Sequence, residues 1–108
     1  MPTPPAAHQT NAAVIADLAR QARAARNDLQ VAHEQFARRS LALFESLRVV
    51  DPSLAELSVH VLGNEVIAAS WFTSRNLHFA QRAPMEMLVV GDRQGVINEL
   101  MRLEHGMY

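Results

Sequence analysis

Forty consecutive residues, Asn11 to Val50, contain neither glycine nor proline. A run of that length with no chain-reversing residue, dominated by alanine, leucine, arginine and glutamine, predicts helix almost throughout, since all four are good helix formers. Within it Ile15, Leu18, Ala22, Ala25, Leu29, Ala32 and Phe36 recur in steps of three and four. This is a heptad-like seam whose small alanines permit close approach of another helix, so it is expected to pack against its counterpart or to fold back on the domain, with self-association the favoured outcome. Beyond Phe36 the seam falters, with Arg39 and Ser46 at its next positions. There Leu41, Leu43, Phe44 and Leu47 define a broader apolar face, as for a helix joining a globular core. Asn27 and Asp28 both favour caps over helix interiors and mark the place for a bend. Upstream, Met1 to Thr10 holds three prolines among small polar residues and reads as a disordered leader.

The second half is punctuated often. Asp51-Pro52 supplies an N-cap and a first-turn proline, with Ser53 and Glu56 offering a competing capping box one step on, so a helix is expected to about His60. Gly63 ends it. Asn64 caps a helix from Glu65 to about Phe72, and Thr73 to Ala83 forms an irregular connection around Asn76. Pro84 opens the next helix and Gly91 closes it. Asp92 caps the last one, whose apolar stripe is Val96, Ile97, Leu100, Met101 and Leu103, and Gly106 is placed to stop it in a left-handed conformation. No stretch alternates as a strand does. The expected fold is all-α, with a leader at 1–10, a long helical segment at 11–50 and a compact bundle of short helices at 51–108.

Composition narrows the chemistry. With 10 basic and 11 acidic residues the chain has a formal charge of −1, which gives no support for a polyanionic partner. All ten basic residues are arginine; the segment to Arg48 is mildly basic and the remainder mildly acidic. The absence of cysteine removes disulfides and thiolate chemistry and fits a reducing cytoplasm, and no uninterrupted apolar run approaches the ~20 residues that a bilayer requires. His8, His33, His60, His78 and His105 show no paired ligand spacing on a helix face, so they read as surface histidines and not as a metal site. Arg20, Arg23 and Arg26 are flanked by Asp17 and Asp28 and read as a solvated face. No glycine-rich phosphate loop is present and nothing holds a base beside His105, so neither catalysis nor a cofactor is expected.

Four segments in fixed order carry a resemblance. They are Leu62-Gly63-Asn64 with Ala68-Ala69-Ser70-Trp71-Phe72, then Asn76, then Ala83-Pro84-Met85-Glu86-Met87-Leu88, and finally Arg102-Leu103-Glu104-His105-Gly106-Met107-Tyr108. This series resembles the toxin-binding domain of the Xre/MbcA/ParS class of antitoxins, over about Leu57 to Tyr108. Arg75 stands where that family has proline, Ala80-Gln81 where it has a pair of glycines, and Phe72 and Met107 where it has smaller aliphatics. The family's N-terminal helix-turn-helix module has no counterpart, because Asn11 to Val50 lacks the internal turn between two crossed helices. DNA binding therefore has no identifiable motif.

The resemblance implies a non-enzymatic antitoxin that binds a cognate toxin, a RES-domain protein that consumes NAD or ADP-ribosylates, and that blocks its nucleotide pocket. Partner contact is then assigned to Arg102, Glu104, His105, Gly106, Met107, Tyr108 and Asn76. Gly63, Trp71 and Pro84 take structural roles, with Trp71 as a core filler. Two other readings stand beside this one. One is a scaffold protein built on the long helix; the other is a transcriptional autoregulator.

Overall fold

The computed structural model describes residues 3–106 in backbone and residues 11–106 in side chain; Met107 and Tyr108 lie outside the described residues. Among the described residues five helices succeed one another: α1 (Thr3–Val50), α2 (Pro52–Leu62), α3 (Glu65–Thr73), α4 (Pro84–Val89) and α5 (Arg93–Glu104), with a 3₁₀ turn at Leu77–Phe79 between α3 and α4. The architecture is all-α, as the glycine- and proline-free run and the spacing of caps require. The helix is continuous through Asn27 and Asp28. It also starts inside the stretch read as a leader. Pro4 and Pro5 fall in its first turn, where a fixed φ and a missing N–H are compatible with a helix.

The chain divides into two compact units, Met1–Gln35 and Phe36–Tyr108. In the first, every side chain from Asn11 to Gln35 is exposed, including Ile15, Leu18 and Leu29 of the seam. Its polar residues satisfy one another locally: Asp17 accepts from Arg20 at 3.0 Å and from Gln21 at 2.7 Å.

The second unit takes in the last turns of α1 and holds the core. Phe44, Leu47, Leu54, Ala55, Ala68, Ala69, Phe72, Val96 and Leu100 are all buried. Phe44 of α1 meets Phe72 of α3 with ring centroids 6.0 Å apart. The buried hydroxyl of Ser40 shares a 2.7 Å hydrogen bond with that of Thr73, which satisfies a polar group that would otherwise be costly to bury. Arg48 lies over the Phe44 ring at 5.3 Å and donates to Glu65 at the start of α3.

Two expectations about the core need correction. Leu43, assigned to the core-facing side of α1, is half exposed; α1 turns Ser40, Phe44 and Leu47 inward, and Leu43 sits round the helix from that face. Trp71 is only partly buried, stacked edge-on against Phe72 at 5.0 Å, and it is Phe72 that fills the centre. The inward face of α3 is set by Ala68, Ala69 and Phe72, so the neighbouring position is carried to the margin.

The punctuation is realised closely. Asp51, Asn64 and Asp92 each accept a backbone N–H from three residues on, at 3.3, 2.8 and 3.0 Å. Asp51, and not the competing Ser53, is the cap of α2. Pro84, buried, occupies the first turn of α4, and the Ala83 N–H donates to Glu86 at 3.2 Å. Gly63 ends α2 at φ 102°, donating to the Val59 carbonyl at 2.8 Å.

Candidate partner-binding site

The sequence assigns partner contact to two places: the end of α5 with Gly106, Met107 and Tyr108 after it, and the connection around Asn76. The fold links them through Glu99. This carboxylate sits on α5 between Val96 and Leu100, the two residues of that helix that are wholly buried, and is itself only 7% exposed. One turn on, Arg102 reaches back and donates to both its oxygens, Nε at 3.1 Å and a terminal nitrogen on the other side. From the connection, His78 brings Nε2 to within 3.9 Å of the same carboxylate. The hydrogen bonds from Arg102 are the main reason the Glu99 carboxyl is held below its usual range. Burial opposes the shift, and the nearness of Arg102 and then of His78 reinforces it. Arg102 is held correspondingly above its ordinary value by its bonds to Glu99. The guanidinium expected to face a partner is therefore already engaged on its own helix.

On the other side of the α5 terminus a second histidine lies near a carboxylate. Glu104 places Oε1 3.4 Å from Nε2 of His60, near the end of α2. His105 is exposed and serves as the C-cap, and Gly106 takes φ 72°, the left-handed stop that its position predicts. Met107 and Tyr108, the last two residues assigned to contact, lie outside the described residues.

Asn76 organises its own loop. Its side-chain oxygen accepts from the His78 N–H at 2.8 Å, its carbonyl accepts from the N–H groups of Phe79 and Gln81 at 3.0 Å each, and its N–H donates to Arg82 at 3.0 Å. The chain thereby closes on itself with an isolated antiparallel bridge between Asn76 and Arg82. Ala80 and Gln81, which stand where the resembling family has two glycines, adopt φ 55° and 69°. The left-handed corner is thus retained with side chains that ordinarily avoid it. An open cavity of about 510 Å³ borders this corner, lined by His78, Phe79, Ala80, Arg82, Met87 and Asp92.

The arrangement is suited to binding. Among the described residues no three histidines, cysteines or carboxylates converge as they would on a metal ion. His33, His60, His78 and His105 are exposed, as surface histidines should be, while His8 lies outside the described side chains. Instead, Arg102 holds the carboxylate of Glu99 on α5, with His78 of the loop 3.9 Å from it. The sequence reading missed Glu99 and His78. A polar residue inside the apolar stripe of α5, one turn before an arginine, was the available signal for the first.

Residues 58–106 match the family model described as the antitoxin Xre/MbcA/ParS C-terminal toxin-binding domain. No curated protein and no solved structure gives a significant match. No helix among the described residues is long and apolar enough to cross a membrane.

Proposed function

Taking residues 58–106 as a toxin-binding domain of the Xre/MbcA/ParS antitoxin class, we propose that this chain neutralises its toxin by occluding the active site of a RES-domain enzyme that consumes NAD or transfers ADP-ribose from it. It works by binding and not by catalysis, in the cytoplasm where such a toxin would act. The observation that supports the reading most directly is the seating of α5. With Val96, Glu99 and Leu100 buried and the Glu99 carboxylate held by Arg102, the helix offers a fixed base for the residues beyond Gly106. A preorganised base lowers the ordering cost of inserting those residues into a cleft. On this reading Met107, Tyr108 and His105 make direct contact. Arg102 and Asn76 act indirectly, the first by holding Glu99 in place and the second by shaping the loop.

The test is a chain lacking Gly106, Met107 and Tyr108. Its circular dichroism should be unchanged, because α5 ends before them, and its inhibition of the co-expressed toxin should be weakened by at least an order of magnitude, the usual consequence of losing an aromatic anchor. Full inhibition by the truncated, folded protein would refute tail insertion.

Self-association through α1 is a second element of the proposal, favoured by the exposure of Ile15, Leu18 and Leu29 on one seam. Replacing Leu18 and Leu29 with Glu should give a monomer in light scattering that keeps toxin affinity, reduced by lost avidity.

A further inference from the structure

The C-terminal unit carries an apolar groove that the toxin reading does not use. It is a surface cavity of about 340 Å³ between the end of α1 and α4, lined by Leu43, Ser46, Leu47, Val50, Met85, Leu88 and Val89, with no charged residue among them. Leu43 is 50% exposed, Val50 83% and Val89 85%. Such a concentration of aliphatic surface is uncommon on a small monomeric domain unless something covers it.

The spacing along α1 says what covers it. Leu43 and Val50 are seven residues apart and continue a series of Ile15, Ala22, Leu29 and Phe36, each seven from the last and each exposed. A seven-residue period held over six positions drifts around a straight helix and stays aligned only with a helix that coils about it. At the intervening positions the series is apolar up to Ala32 and polar at Arg39 and Ser46. Where it turns polar, α4 brings Met85, Leu88 and Val89 alongside and restores an apolar surface. A handful of partly exposed aliphatic side chains in the groove falls short of the roughly 800 Å² per partner that a stable interface covers, so apolar positions of the same sequence period have to contribute as well.

We propose that the groove is the seat of a second copy of this chain, the two α1 helices running parallel so that Leu43 and Val50 face their own counterparts. The inference rests on the self-association reading above and extends it into the toxin-binding unit. Parallel pairing sets the two wide ends of the seam against each other, so that each copy's α4 covers the other's Val50. Arg39, exposed in the single chain, is long enough in this pairing to lay its stem along the seam while its guanidinium stays in water.

The chain has no cysteine, so a single introduced thiol reports unambiguously. In the full chain, Leu43→Cys should form a disulfide-linked dimer under mild oxidation at low micromolar concentration, while Arg38→Cys, exposed but off the seam, should not. Val89→Glu, which leaves α1 untouched, should weaken the dimer by about ten-fold or more in sedimentation, because it drives a charge into the apolar contact. Toxin inhibition is measured on the same samples. A wild-type chain that is monomeric at high micromolar concentration overturns the inference. So does a dimer that resists Val89→Glu and fails to cross-link at residue 43, whatever the inhibition shows. Loss of inhibition by Val89→Glu with an unchanged dimer overturns it too, and assigns the groove to the toxin. If neither wild type nor variants inhibit while Leu43→Cys still cross-links and Val89→Glu still weakens the dimer, the antitoxin reading fails and the groove assignment stands.

Discussion

Replacing both Ala80 and Gln81 with glycine should stabilise the protein, against the ordinary tendency of glycine to destabilise. The two residues hold φ 55° and 69°, where the Cβ of an L-residue crowds the following carbonyl at a cost of about 1–2 kcal/mol each. Neither substitution removes a buried surface, for both residues are exposed, nor a side-chain hydrogen bond. The opposing effect is the freedom that glycine restores to the unfolded chain, about 0.5–1 kcal/mol per site. The balance is a gain of about 0.5–1 kcal/mol at each position and about 1–2 kcal/mol for the pair. In a domain of this size, where 1 kcal/mol moves the melting temperature by about 4–8 °C, the pair should raise it by about 4–16 °C. Thermal and urea unfolding followed by circular dichroism measure this directly. Ala80→Val is the control of opposite sign, since β-branching makes the left-handed region harder still to hold. A double-glycine variant that melts at or below the wild-type temperature would refute the argument, and so would an Ala80→Val variant as stable as wild type.

Phe72→Ala should cost about 3–5 kcal/mol, the range for emptying a fully buried aromatic site, whereas Trp71→Ala should cost only ~1–2 kcal/mol because its ring lies at the margin. Urea midpoints that rank the two the other way would place the tryptophan at the centre. Asp51 and Glu99 contribute to acid stability, because their carboxyls are depressed chiefly by hydrogen bonds from Arg93 and Arg102. A depressed folded value means that each pair's contribution is complete above the unfolded value of about 4 and is lost as pH falls through the folded one. The urea midpoint should therefore stay flat from pH 7 to about 5 and drop below about 4. Asp51→Asn keeps a capping residue while removing the ion pair, and should make that drop shallower.

Much of the fold is legible because its boundaries are local chemistry. A capping side chain acts on a backbone N–H three residues away, so Asp51, Asn64 and Asp92 declare helix starts without reference to the rest of the chain. Gly63 and Gly106 declare ends for the same reason, each at a positive φ. What the sequence does not show is decided between elements. Trp71 and Phe72 are neighbours of similar hydrophobicity, and only the packing of α3 against Phe44 selects the second for the interior. Glu99 resembles any surface carboxylate on a helix until His78 arrives from a loop 21 positions earlier. Ala80 and Gln81 carry no left-handed signal at all. There the backbone is imposed by the bonds that Asn76 makes on either side, and the resemblance to a glycine-bearing family was the only hint. Gly95 escaped notice for a further reason. It sits inside a helix, where glycine serves no obvious end, yet a Cβ there would lie 2.3 Å from the carboxylate of Asp92 that caps the same helix.

Asp51 is the one residue between α1 and α2, and it has several obligations at once. Its N–H donates to the Leu47 carbonyl at 2.7 Å, its own carbonyl accepts from Ala55 at 3.1 Å, and its carboxylate takes the Leu54 N–H and both hydrogen bonds from Arg93. A junction this crowded leaves no slack for exchanging the N-terminal helix as a cassette. A splice at Val50-Asp51 would cut the cap, the ion pair and the helix end together. Any replacement, whether a fluorescent reporter or another oligomerisation element, has to be joined upstream of Phe36 in helical phase, by whole heptads. The chain is modular, but its seam for recombination lies inside a helix and not at the turn where a sequence alignment would place it.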